Sequence, residues 1–261
     1  MPFLNSSGIH QETTFQPYIA KGRIFNGYTF DFWIADEVGK QWYGFSNQVM
    51  YERLWWEQHV KPGSCVLDCG SHHGMAAILL SHFCTPTGHV IAVDALPANV
   101  AVIEQNVELN SLTNIEVHAA ALWNQLGFLS FHEQSGNVVC IGMAEESGQR
   151  LLKADTIDNI AAGRRIDFLK LDVEGSDLQA LQGAKCTLLQ RPTLAIEFHC
   201  FTFKDRRATV SEILSLLGPA YKYEFQGEGT DQVSPDVDRD KLLDLICSFD
   251  NPHLYGLPAS A

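Results

Sequence analysis

The sequence predicts an open α/β fold with a mostly parallel sheet and helices on both faces, and three observations carry that prediction. An apolar run, Val66-Leu67-Asp68, ends in an acid and enters the glycine-punctuated turn Cys69-Gly70-Ser71-His72-His73-Gly74, after which a helix-period pattern begins. A second run, His89 to Asp94, ends in another acid 26 residues later, close to the separation of about 20 at which such folds grip a ribose. Strand-like and helix-like segments then keep alternating, which favours parallel pairing.

Taken in order, Tyr28 to Ile34 alternates like a strand, and Asn47 to Lys61 reads as a helix carrying Tyr51, Leu54, Trp55 and Val60. Residues 1–60 are therefore expected to cap the fold. Met75, Ile78, Leu79 and Phe83 recur at helical spacing, and Thr85-Pro86-Thr87-Gly88 supplies a stop. Pro97 opens a helix through Val100, Ile103 and Val107 to about Asn110, and Ile115 to Leu122 reads as a third strand. Phe128 to Phe131 and Val138 to Ile141 read as a hairpin on the rim. Ile166 to Leu171 is a further strand, entering a turn with Asp172 and Glu174. A helical stripe of Leu178, Leu181 and Leu188 follows, with Gly183 inside it. Thr193 to His199 is a strand whose Glu197 and His199 share a face by the period of two.

Composition sets bounds. A chain of 261 residues, 46% hydrophobic, buries a full core as one domain, 1–261, divided into the cap, a core at 61–200 and closing elements at 201–261. With 18 basic against 31 acidic residues the formal charge is -13. That balance disfavours nucleic acid or an anionic membrane as partner and favours a neutral or cationic small molecule. The start lacks a basic region followed by an apolar core, and no apolar stretch approaches the roughly 18 residues that span a bilayer. Seven scattered cysteines without a C-x-x-C pair fit reduced thiols in a cytoplasm. Cys69, inside the turn, reads as a small buried filler.

The turn separates two classes of cofactor. A dinucleotide needs small residues at the three fingerprint positions, which here hold Gly70, His72 and Met75. Asp68 would also repel a diphosphate, whereas it suits a ligand bearing an ammonium and a sulfonium. The cofactor that fits is S-adenosylmethionine. Asp94 is its expected ribose ligand, accepting from both hydroxyls. Asp68, Gly70, His72, Gly74, Ala120 and Asp172 are the other expected cofactor contacts. In a parallel sheet Asp68, Asp94, Asp172, Glu174, Glu197 and His199 gather along the ligand-binding edge.

These residues resemble the FkbM family of class I S-adenosylmethionine-dependent methyltransferases. Lys61-Pro62-Gly63 leads into Asp68-Cys69-Gly70 as the family's turn leads into its first motif. Leu169-Lys170-Leu171-Asp172-Val173-Glu174-Gly175 is the most specific match, and Ala121-Leu122, Leu181-Gln182-Gly183-Ala184 and Ile196-Glu197-Phe198-His199 fall at similar places. The resemblance covers roughly Tyr51 to His199, with an echo at Asn251 to Tyr255. Ser71-His72 stands where the family usually has Ala-Asn, and Asp94-Ala95 where it has Glu-Pro. The resemblance implies a Rossmann-like, seven-stranded sheet whose last strand runs antiparallel, with Tyr221 to Phe225 and His253 to Leu257 as the final strands. It also implies O-methylation of a hydroxyl on a sugar or natural product.

Methyl transfer from a sulfonium is an in-line displacement, accelerated by positioning and aided by a base that takes the hydroxyl proton. His199 is the expected base, Asp172 its rival, and Glu197 the third catalytic group. A divalent ion on Asp172, Glu197 and His199 is a disfavoured alternative, and no metal site is expected. Glu174 reads equally as a helix cap or a site residue. His72 and His73, adjacent in a turn, are expected to point apart. Trp55, Trp56 and Tyr51 read as core and lid packing, with Glu52 able to reach in from that lid. A nicotinamide oxidoreductase and a non-catalytic S-adenosylmethionine-binding protein are the competing readings.

Overall fold

The apolar runs of the sequence become neighbouring strands of one large sheet. A computed structural model of the chain describes residues 15–25, 27–44, 51–134, 137–145 and 150–259. An antiparallel hairpin, β1 (Tyr18–Phe25) and β2 (Tyr28–Ile34), leads to α1 (Glu37–Tyr43), which Asp36 caps by accepting from the Gly39 amide at 2.7 Å. Then come α2 (Tyr51–His59), β3 (Cys65–Cys69), α3 (Met75–Cys84), β4 (His89–Asp94), α4 (Pro97–Leu109) and β5 (Ile115–Ala119). The expected start of α2 at Asn47 lies outside the described residues.

The middle of the chain departs from expectation. The third strand breaks at Ala120, whose amide donates to the Asp94 carbonyl at 2.9 Å. Its continuation, β6 (Ala121–Leu122), joins β7 (Gly127–Gln134), β8 (Asn137–Ala144) and β9 (Leu152–Asp155) in a second sheet, ordered β6-β9-β7-β8. The rim hairpin is thus half of a small sheet.

After α5 (Ile157–Ala161) and β10 (Phe168–Leu171), the expected single helix is two, α6 (Asp177–Gln182) and α7 (Lys185–Leu189). Gly183 divides them, because a Cβ there would strike the Trp123 carbonyl and its own carbonyl accepts from Asp158. β11 (Thr193–Glu197) stops short of His199, which opens a single 3-10 turn at Cys200–Thr202. The closing elements are α8 (Arg206–Leu217), β12 (Tyr221–Gln226), β13 (Val233–Val237), α9 (Arg239–Cys247) and β14 (His253–Pro258).

The large sheet runs β13-β12-β14-β11-β10-β3-β4-β5. β5, β4, β3, β10 and β11 are parallel, while β14 runs antiparallel between β11 and β12. The seven expected strands are present, and β13 adds an eighth at the edge.

Strand alternation divides the core. Leu67, Ile91 and Leu169 face the helices α5, α6, α8 and α9, whereas Val66, Val90 and Phe168 face α3 and the N-terminal hairpin. Trp55 stacks on Tyr255 with centroids 4.2 Å apart and donates to Glu224, so it belongs to packing as expected. Fully buried Asn106 of α4 accepts from the Trp33 amide and donates to the His73 carbonyl, tying the hairpin to the first turn. Among the described residues no helix is long and apolar enough to cross a membrane.

Candidate active site

The site lies where parallel strands end in turns, and two glycines permit the first of these. Gly70, at φ 82°, is pressed against Asp172, whose carbonyl a Cβ would strike; Gly74, at φ 88°, begins α3 against Ile103. His72 between them also has a positive φ, 50°. That twist turns its ring to the same side as that of His73, and the two stack with centroids 4.0 Å and planes 5° apart. The expectation that they diverge is corrected. Tyr43 is tilted against the pair and shares a 2.8 Å hydrogen bond with His72 Nδ1. Burial, reinforced by His73 and Lys170, pushes the His72 imidazole down to about 3, so it is neutral at physiological pH.

Two clefts open here. The smaller, about 580 Å³, runs past Gly70, His72, Asp94 to Leu96, Asn99 and Ala120 to Leu122, and Val138 and Cys140 of β8 close it from above. The larger, about 1010 Å³, is walled by Trp42, Tyr43, Glu52, Arg53, Trp56, Lys170, Glu197, His199, Phe201 and Asn251. Gly70, His72, Asp172 and Glu174 line both. The clefts therefore meet at the turns after β3 and β10.

In the smaller cleft Asp94 is already well engaged. Its Oδ2 accepts from the His72 amide at 2.8 Å, and its Oδ1 accepts from the Leu96 amide and from Asn99. Among the described residues' contacts Oδ2 alone retains a free lone pair, so the expected two-oxygen grip on a ribose reduces to one oxygen. Burial raises this carboxyl to about 6 against those three hydrogen bonds.

Asp68 is corrected more fully. It is wholly buried and lines neither cleft: Lys170 Nζ stands 3.1 Å from Oδ1, and Ser71 Oγ donates to Oδ2 at 2.8 Å. Parallel pairing of β3 with β10 aligns Asp68 with Lys170, so the acid serves as counter-ion to the lysine and not as a ligand contact. Lys170 also reaches Asp172 Oδ2 at 3.2 Å and the Gly70 carbonyl at 2.9 Å. Burial disfavours its charge, but Asp68 and Asp172 outweigh that and raise its pKa.

In the larger cleft buried His199 turns Nε2 toward Glu174 Oε2 at 3.3 Å and Asp172 Oδ1 at 3.8 Å. Burial opposes its charge, yet Asp172, Glu174 and Glu197 outweigh burial and raise its pKa. Glu197 faces the cleft but pairs with His253 at 3.4 Å. Burial would raise its carboxyl, and His253 and His199 instead hold it down at about 2, which leaves it a poor proton acceptor. Among the described residues the three groups whose ligand atoms come within 4.8 Å of one another are Asp172, Glu174 and His199, so Glu197 drops out of the trio considered for a metal. Glu174, at φ 49°, is turned toward His199 and does not cap α6, whose N-cap is Ser176.

Sequence reasoning missed Lys170, Asn99, Tyr43, Arg53, Trp42 and Phe201. Lys170 carried a signal, a lone cation in an apolar strand that needs a buried counter-ion. The others come from segments without a motif.

Helices on both sheet faces, strand order β5-β4-β3-β10-β11-β14-β12 with β14 reversed, and a glycine turn after the central strand define a class I S-adenosylmethionine-dependent methyltransferase. The methyltransferase FkbM domain matches residues 68–225. The chain belongs to the FkbM methyltransferase family. It is also similar to an arsenite methyltransferase of Halobacterium salinarum, 32% identical over 108 residues, or 40% of this chain and 26% of that protein. The chain thus spans about a quarter of that relative's length.

Among solved structures, similarity extends to an O-methyltransferase from Bacillus cereus in complex with SAH, at 13% identity and TM-score 0.49 over 80% of this chain and 79% of that one. A putative rRNA methylase from Clostridium thermocellum is similar at 10% identity and TM-score 0.49, over 80% and 94%.

Proposed function

We propose that this methyltransferase O-methylates a hydroxyl of a small molecule, a sugar or natural product, with S-adenosylmethionine in the smaller cleft and the acceptor in the larger. The observation that carries this reading is the shared wall of Gly70, His72, Asp172 and Glu174, with His199 beside it.

The residues fit the cofactor. Gly70 lines the cleft, Oδ2 of Asp94 retains an acceptor site for a ribose hydroxyl, and Ala120 to Leu122 give an apolar bed for a base. When bound, S-adenosylmethionine supplies an electrophilic methyl group. Asp172 and Glu174 offer negative charge at the junction, where a sulfonium is favoured.

In this reading His199 takes the acceptor hydroxyl's proton at Nε2. Asp172 and Glu174, whose carboxylates lie beside that nitrogen, stabilise the imidazolium formed. Glu197, locked to His253, positions the wall and does not exchange protons. Lys170 supplies the positive charge that Asp172 requires, so the scheme invokes no metal. Trp42 and Phe201, 54% and 58% exposed, give the larger cleft a flat apolar mouth suited to a ring-shaped acceptor. The net charge of -13 favours a neutral or cationic acceptor over a nucleic acid, and reduced cysteines suit a cytoplasmic setting.

The test is transfer of a deuterated methyl group from S-adenosylmethionine to a panel of hydroxylated sugars and polyketide-like compounds, read by mass spectrometry. A gain of one labelled methyl on an oxygen supports the proposal. Transfer confined to nitrogen acceptors or to RNA would reject it.

A further inference from the structure

The proposed transfer invokes no metal, yet three of its groups are spaced as metal ligands. His199 Nε2 stands 3.3 Å from Glu174 Oε2 and 3.8 Å from Asp172 Oδ1, and one ligand atom from each residue lies within 4.8 Å of the other two. Atoms held about 2.0–2.2 Å from one zinc ion in a tetrahedral arrangement stand roughly 3.3–3.6 Å apart. The two spacings at His199 are close to that range. A protonated imidazole beside two acids is the plain alternative, but it calls for a charge-assisted hydrogen bond of about 2.7–2.9 Å. Among the described residues His199 Nε2 makes no hydrogen bond to either carboxylate.

Contacts outside the trio hold these donors in place. Asp172 gives Oδ2 to Lys170 Nζ at 3.2 Å, which leaves Oδ1 for the His199 side. Lys170 does not cancel the charge of the trio, because buried Asp68 stands 3.1 Å from the same ammonium. Glu174, at φ 49°, is followed by Gly175, which lies so close to Thr202 that a Cβ would strike the threonine hydroxyl. That hydroxyl donates to the His199 carbonyl at 2.7 Å, so the two turns that carry the ligands are fastened together. The imidazole is buried and the two acids are partly exposed, all three lining the larger cleft, so an ion reaches them from the acceptor side.

We propose that Asp172 Oδ1, Glu174 Oε2 and His199 Nε2 form an inhibitory site for a divalent transition-metal ion, which takes the nitrogen that would otherwise accept the proton of the acceptor hydroxyl. Zinc is the fitting occupant. One imidazole with two carboxylates is a borderline donor set that suits zinc, whereas magnesium and calcium prefer oxygen alone. An imidazole must be unprotonated to bind a metal, so ion and proton compete for the same lone pair. Only the inhibition rests on the reading of His199 as base. The binding stands on the geometry of the trio.

The test is a calorimetric titration of the full chain with zinc chloride, after chelation of any metal and with the cysteines kept reduced. One equivalent is expected at the trio, and Glu174→Gln and His199→Gln should each weaken it by at least the roughly 10 to 100-fold that loss of an outer partner costs a metal site. Asp172 is left in place because Lys170 depends on it. Histidine ¹⁵N NMR of the wild-type chain reads the same event directly, as a shift of the His199 Nε2 signal on addition of zinc, and decides alone if the variants do not fold. Absence of saturable binding would overturn the proposal, as would zinc that leaves the His199 signal unmoved or binds equally well to both variants. Zinc-saturated protein should transfer methyl about as slowly as His199→Ala, with the rate restored by a chelator; zinc at the trio that leaves transfer unchanged or speeds it would overturn the inhibition. Failure of the wider reading shows differently, as metal-free transfer that survives loss of His199 while zinc still binds the wild-type trio.

Discussion

The two clefts share a wall but are built in opposite ways. The smaller is lined largely by the strand-end turns after β3, β4, β5 and β10, with the start of α4 and β8 of the small sheet, and its acids are Asp94, Asp172 and Glu174. The larger is lined by charged and aromatic side chains brought from α1, α2, β10, β11 and the approach to β14. A pocket made from consecutive strand ends is fixed by the fold itself, and so accepts one conserved shape of ligand. A pocket assembled from distant segments is where an acceptor can be changed without disturbing the donor.

Substitutions should separate the two halves. The largest effect is expected from His199→Ala, which should slow methyl transfer by roughly 10² to 10⁴-fold while S-adenosylmethionine binds as before. Calorimetry beside a transfer assay checks this; loss of binding with an unchanged single-turnover rate would reverse the assignment of the clefts.

Lys170→Met tests the seam between them. It leaves Asp68 buried and Asp172 without its cation, so urea unfolding should show a loss of about 3–5 kcal/mol, as for other broken buried pairs. A neutral outcome would mean that the three groups are not held as an ionic set.

Asp94→Ala is the converse of the histidine variant. It removes a charge-assisted contact of about 1.5–3 kcal/mol, so the cofactor dissociation constant should rise roughly 10 to 100-fold. Part of that loss comes from the His72 amide, which is left without its acceptor. The smallest effect is that of pH. Asp94 accepts from ribose more strongly when ionised and burial raises its carboxyl to about 6, so affinity should fall as pH drops below that value. On the acceptor side the sign is the same for a different reason. His199 must be neutral to act as base, and since its pKa is raised, transfer should increase as pH climbs through a value above 6.5. Rate profiles at saturating cofactor separate the two.

The same contrast explains what could be read from the sequence. β3, β4, the boundaries of α4 and the acid at Asp94 follow from local runs, a proline at the first helical position and turn residues, so they emerge where expected. The role of Asp68 does not, because it depends on the register that sets Lys170 beside it, and pairing of strands about a hundred residues apart leaves no local mark. The break at Ala120 is equally hidden, since apolar residues run through it without interruption. His72 and His73 were misjudged because alternation assumes extended backbone, and the left-handed twist at His72 cancels it. Trp42, Tyr43 and Arg53 belong to helices that carry no motif and acquire meaning only when folded over the strand ends.

The most direct measurement is a calorimetric titration of the wild-type chain with S-adenosylmethionine and, separately, with NAD. Saturable one-to-one binding of S-adenosylmethionine, weakened by Asp94→Ala and absent with NAD, is the predicted result. Binding of NAD without S-adenosylmethionine would contradict the assignment of the smaller cleft and everything built on it.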